Sequence, residues 1–151
     1  PILMSGVNEL QPTVVHFSGH GTSADTLVLQ DDQGNEKHVT KEAIVSAMAL
    51  GAESVKLVFF NTCFSFNQAQ GCLHHVPATI GMNRDVGDLP ARIFSAQFYS
   101  AIGFGLSITK AFEQAKALIA METPGEESIP ELYVQEGLTE EMLTLVRPPS
   151  L

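Results

Sequence analysis

Apolar residues along the chain alternate between two patterns. Short, dense runs at residues 13–17, Val55 to Phe60 and Val76 to Gly81 have the length and composition of strands. The middle run, VKLVFF, is nearly continuous, as a parallel strand covered on both faces is. Between and after these runs, apolar positions recur at helical spacing. Thr40 can cap a helix running to about Leu50, with Gly51 placed to end it. After Asp88, the residues Leu89, Ile93, Phe94, Phe98 and Ile102 share one helix face. Ser107 opens a second such helix, with Ile108, Ala111, Phe112, Ala115, Leu118 and Ile119 on one side.

Two further runs, Thr26-Leu27-Val28-Leu29 and Glu36 to Val39, flank Asp31-Asp32-Gln33-Gly34-Asn35, whose Gly and Asx residues suit a hairpin loop. A Pro/Gly/Glu loop covers 123–130, and 147–151 read as a Pro-containing tail. The β–α–β alternation predicts an α/β fold with a largely parallel sheet and right-handed crossovers. The whole of 1–151 reads as a single domain, long enough to bury a core.

Composition narrows the function classes. Hydrophobic residues make up 44% and charged residues 17%, as in an ordinary globule and unlike a disordered chain. No apolar run approaches the ~20 residues a membrane span needs. No stretch has the basic, apolar and small-residue order of a signal peptide, so the expected compartment is the cytoplasm. A formal charge of −9 argues against nucleic acid or an anionic membrane as the main partner. The two cysteines, nine positions apart, make neither a disulfide framework nor a CxxC motif.

The chemistry lies where two of the strand runs end. His16-Phe17-Ser18-Gly19-His20-Gly21 follows the first run, and Asn61-Thr62-Cys63-Phe64-Ser65 follows VKLVFF. Adjacent parallel strands ending there would bring His20 and Cys63 to one sheet edge, where open α/β sheets place their chemistry. A thiol needs a neighbouring base to act as a nucleophile near neutral pH, and His20 can serve, then protonate a leaving amine. Gly21 lets a substrate carbonyl approach the backbone closely. His16 lies inside its strand with no glycine after it, and is not the expected base. The bland alternative is that Cys63 is a small core residue and Gly19-His20-Gly21 a plain turn. Cys72, His74 and His75 are spaced poorly for a tetrahedral metal and read as a helix end and strand entry. His38 reads as solvent-exposed.

The two boxes resemble those of the caspase-like clan of cysteine peptidases. Phe17-Ser18-Gly19-His20-Gly21 looks like its His-Gly box, and Asn61-Thr62-Cys63-Phe64-Ser65 like its nucleophile box, 43 residues on from His20 to Cys63. Within the clan the chain is most similar to the bacterial CHAT proteases, relatives of separase. Ile80 to Asp88 resembles their post-strand loop, Phe94-Ser95-Ala96-Gln97-Phe98-Tyr99 their FxxxFY helix, and Gly105-Leu106-Ser107-Ile108 the G-x-S turn after it. The resemblance spans about 13–120. It implies a three-layer α/β/α sandwich, a His20–Cys63 dyad working without a cofactor, and an oxyanion hole from the N–H groups of Gly21 and Cys63. It also implies that the chain lacks the N-terminal strands of its domain, with a sensor, repeat or regulatory module, or a second chain, completing it.

In arginine-preferring relatives an acidic residue in the post-strand loop lines the S1 pocket. Asp88 and Asp85 are the candidates by that resemblance, Asp88 having the alternative of a helix N-cap. Asn61 stands where some basic-specific relatives carry an acid. The expected activity is hydrolysis of peptide bonds in a protein or peptide substrate after a basic P1 residue, by a regulated bacterial effector of defence or cell death. Two rivals predict otherwise. A scaffold or interaction module with the same fold would have an inert Cys63. A phosphate-binding domain using Gly19-His20-Gly21 would start a helix right after Gly21, where 23–29 read as turn and strand.

Overall fold

VKLVFF is the centre of the molecule because it is apolar on both faces. The computed structural model describes residues 9–30, 33–51 and 53–147. Its elements are β1 (Val14–Ser18), β2 (His20–Gly21), β3 (Thr26–Gln30), β4 (Glu36–Thr40), α1 (Lys41–Gly51), β5 (Leu57–Asn61), α2 (Phe66–Cys72), β6 (Ala78–Met82), α3 (Asp88–Gly103), α4 (Ile108–Glu122) and β7 (Pro130–Val134). The main sheet has the order β1-β5-β6-β7. Its first three strands are parallel, and β7 runs antiparallel along β6. A second, antiparallel sheet has the order β2-β3-β4.

Strand alternation sends successive residues of β5 into two cores. Leu57 and Phe59 join Phe94, Phe98, Phe112 and Ile119 of α3 and α4. Val58 and Phe60 join Ile44 and Met48 of α1, and Ala69 and Cys72 of α2. Helices therefore cover both faces of a mainly parallel sheet, an α/β sandwich. Phe59 sits at the crowded point, with ring centroids 5.5 Å from Phe94, 5.4 Å from Phe98 and 5.7 Å from Tyr99. On the other side, Gly81 lets α2 close on β6. A Cβ there would lie 2.8 Å from both the Ala69 Cβ and the Ser65 carbonyl oxygen.

The expected caps are in place: Thr40 Oγ1 accepts from the Ala43 N–H at 3.2 Å, and Ser107 Oγ from the Lys110 N–H at 3.2 Å. Several boundaries moved. The parallel strands begin one or two residues later than the apolar runs do, because Val55 and Val76 are buried before pairing starts. Leu89 is 53% exposed in the first turn of α3, and Pro90 is buried in its place, tolerated there because first-turn N–H groups have no helical partner. Strands β3 and β4 pair from Thr26↔Thr40 to Gln30↔Glu36. The Asp31-Asp32 part of their expected loop lies outside the described residues. Strand β7 and the segment after it were not expected. That segment closes over α4: Glu140 accepts from the hydroxyls of Ser107 and Thr109, and Leu143 is buried in the core. Among the described residues, no helix is long and apolar enough to cross a membrane.

Candidate functional site

Strands β1 and β5 run in register to their last residues, Ser18 opposite Asn61. The chain then leaves the main sheet at both ends. Gly19, at φ 145°, carries it from β1 into the small sheet, so His20 heads β2 and pairs with Val28. No helix follows Gly21. Thr22 N–H donates to Thr26 O at 3.0 Å in a turn whose Asp25 has φ 60°. Asn67 Nδ2, on α2, donates to Asp25 Oδ1 at 2.8 Å and ties this turn to the helix that follows Cys63.

The second chain end is held by Ser65. Its buried hydroxyl contacts the carbonyls of Thr62 at 2.7 Å and Phe60 at 3.2 Å, and accepts from the Met82 N–H at 3.0 Å. Phe64 turns the backbone through φ 54°, a region that bulky residues occupy only when their surroundings impose it. Cys63 is thereby presented, half-buried, at the tip of a tight turn. Gly21 and Cys63 meet backbone to backbone. A Cβ on Gly21 would stand 1.8 Å from the Cys63 carbonyl oxygen and 2.9 Å from its carbon, so only glycine fits.

The Cys63 thiol is hydrogen-bonded to the loop after β6. It donates to Val86 O at 3.6 Å and accepts from the Val86 N–H at 3.3 Å. Among the described residues, no hydrogen bond joins it to His20, whose ring borders a cleft beside the turn. That cleft, of about 420 Å³, is lined by Ser18, Gly19, His20, Asn61, Asp88, Ala91 and Arg92. Asn61 Nδ2 donates to Ala91 O at 3.2 Å, which leaves the buried Oδ1 as an acceptor with no partner. Asp88 is the first residue of α3 and exposed; Gly87 takes the cap position, so Asp88 is not the N-cap. Its charge still suits a helix N-terminus. Asp85 is exposed on the preceding turn, outside the cleft lining.

Sequence reading missed Arg92, one helical turn beyond Asp88 on the same face, a spacing that could have revealed it. It also missed Val86, and no signal existed for it, since the contact uses main-chain atoms that any residue carries.

The other histidines and the second cysteine fall elsewhere. His16 lies on the edge strand β1, its Nδ1 2.7 Å from the Tyr99 hydroxyl and its ring 4.7 Å from that of Phe59. His16 is exposed at its edge, yet partial desolvation of its ring pushes its pKa down, and burial pushes that of Tyr99 up. A lowered histidine pKa means that the unfolded chain binds the proton more readily. Stability is therefore expected to fall as pH drops through the unfolded value of about 6.5 and to level off below the folded one. Urea midpoints across that range in wild type and His16→Gln check this, because the variant loses the dependence.

Cys72 ends α2 fully buried, its thiol pushed up to about 12 by desolvation. Iodoacetamide is expected to modify Cys63 alone in the native protein and both cysteines after denaturation, as peptide masses would show. His74 and His75 follow α2 in a turn, and His38 is exposed on β4. Among the described residues, no group of three or more His, Cys, Asp or Glu side chains is placed to hold a metal. The chain matches no protein-family model and no curated protein.

Proposed function

We propose that the chain is a caspase-like cysteine endopeptidase of the CHAT type, with His20 and Cys63 as its dyad. The observation that carries this reading is the backbone contact of Gly21 with Cys63, which places a histidine-bearing strand against a thiol-bearing turn at the C-terminal edge of parallel strands. In the reaction, the Cys63 sulfur adds to the scissile carbonyl as its proton passes to His20. The oxyanion forms beside the N–H groups of Gly21 and Cys63. His20 returns the proton to the departing amine, leaving a thioester that water hydrolyses.

The cleft beside His20 supports a basic P1 residue. Asp88 supplies an exposed carboxylate able to receive guanidinium or ammonium N–H groups, and Arg92, one helical turn on, is the cation it must be shared with. The acidic chain as a whole favours basic peptide segments. By the same resemblance, the enzyme acts as a switched bacterial effector joined to a sensor, repeat or regulatory module. A peptidyl electrophile carrying P1 Arg or Lys tests the reading. Labelling is expected at Cys63, absent in Cys63→Ala and His20→Ala, and reduced about ten-fold or more for P1 Arg in Asp88→Asn. A folded chain that no P1 residue labels, even with its module present, would instead be a non-catalytic scaffold.

A further inference from the structure

The loop between β6 and α3 lies against the sulfur, and its main-chain atoms do so from both sides of one residue. The Val86 N–H points at Cys63 Sγ over 3.3 Å, and the Val86 carbonyl receives the thiol proton over 3.6 Å. We propose that the Val86 N–H is a fixed donor that stabilises the Cys63 thiolate, and that Arg84 is the positioning residue that keeps it in range. This rests on the dyad reading above, since it concerns the sulfur after its proton has passed to His20.

In the resting thiol, the carbonyl is a parking place for the hydrogen and the N–H bond to sulfur is weak. When His20 takes the proton, the S–H to carbonyl bond is lost, and the N–H bond becomes charge-assisted, the stronger kind. The charged groups along these elements are His20 on β2, Asp25 in the turn after it, Arg84 and Asp85 before Val86, and Asp88 and Arg92 on α3. The carboxylates disfavour a further negative charge nearby, and the hydrogen bonds of the sulfur go to Val86 and to no cation among the described residues. A neutral donor aimed at the sulfur is thus most useful where it is.

Such a donor works only if it is already in place when charge develops. The loop is stitched down accordingly. Arg84 O accepts from the Phe64 N–H at 3.4 Å, which fastens the loop to the residue after the nucleophile. The Arg84 guanidinium reaches the other way, donating to Gly125 O at 3.1 Å and Ser128 Oγ at 3.4 Å. Asn83 adds its own N–H to Ile129 O at 3.0 Å and its side-chain amide to Ser128 O at 2.7 Å. The 123–130 loop is therefore the backing of the nucleophile.

The test compares alkylation of Cys63 by iodoacetamide at neutral pH with that at strongly alkaline pH, where any accessible thiol is ionised. The ratio of the two rates cancels simple changes in access. Val86→Pro deletes the N–H and is expected to lower the ratio about ten-fold, whereas Val86→Ala keeps the N–H and the ratio. Arg84→Ala is expected to lower it several-fold and Arg84→Lys to restore part of the loss. A ratio unchanged or raised in a folded Val86→Pro protein overturns the proposal. If that variant does not fold, an unchanged ratio in Arg84→Ala does so. Peptide hydrolysis separates this from the parent reading. Hydrolysis lost in His20→Ala beside an unaltered ratio in Val86→Pro removes the donor and leaves the peptidase. A lowered ratio in a chain that cleaves no peptide keeps the donor and removes the peptidase.

Discussion

Replacing Gly21 with alanine is expected to lower kcat/KM for a P1-Arg peptide by about 10²- to 10³-fold, the cost of displacing one oxyanion donor. The added methyl would begin 1.8 Å from a carbonyl oxygen and 2.9 Å from its carbon. Neither atom belongs to a flexible side chain that could swing aside. The strand bearing His20 and the turn bearing Cys63 must part by roughly an ångström, a misplacement large enough to matter in catalysis. Stability should fall as well, by about 1–3 kcal/mol for an overpacked site. Gly103→Ala is the control. A Cβ there meets nothing within 4 Å, so this variant should keep full activity. Unchanged kinetics in Gly21→Ala would mean that the contact has no part in the chemistry.

The second large effect belongs to the core. Phe59→Ala should cost about 3–5 kcal/mol, the range for truncating a buried aromatic. Phe59 is fully buried and meets the rings of Phe94, Phe98, Tyr99 and His16. Against a total of about 5–15 kcal/mol this is a large share. The urea midpoint should fall with little change in slope, and Tm by roughly 10 °C. Function should suffer too, because the same ring supports α3, which begins at Asp88 and fixes one end of the loop carrying Val86.

These two positions mark what the sequence made legible. Phe59 was visible because a continuous apolar run can only be covered on both faces. The approach of the Gly21 segment to Cys63 was visible because each follows such a run, and adjacent parallel strands end together. The helices of α1, α3 and α4 were visible through their spacing and the caps at Thr40 and Ser107. Strand β7 was not. It opens with Pro130, follows a Pro/Gly/Glu loop, and its next four residues are all half-buried, so no alternation of period two stands out. Helix α2 has only seven residues, too few for a periodic signal. The rest of the site escaped for other reasons: the spacing of Arg92 from Asp88 was readable but its place in the cleft depends on how α3 docks, and the Val86 contact uses main-chain atoms alone.

The departure at Gly19 has a mechanical consequence. His20 and Cys63 are not carried by one rigid sheet. The histidine rides on a three-stranded hairpin assembly and the cysteine on the tip of the central strand, with Gly19 as the pivot and the Asn67–Asp25 bond as a stay between them. A displacement of the exposed strand β4 would reach His20 through β3 and would work against the close fit of Gly21 on Cys63, itself held by Ser65 and β6. The hairpin is in this sense a lever, with a side chain of the proposed dyad at its short arm and solvent-facing surface at its long one.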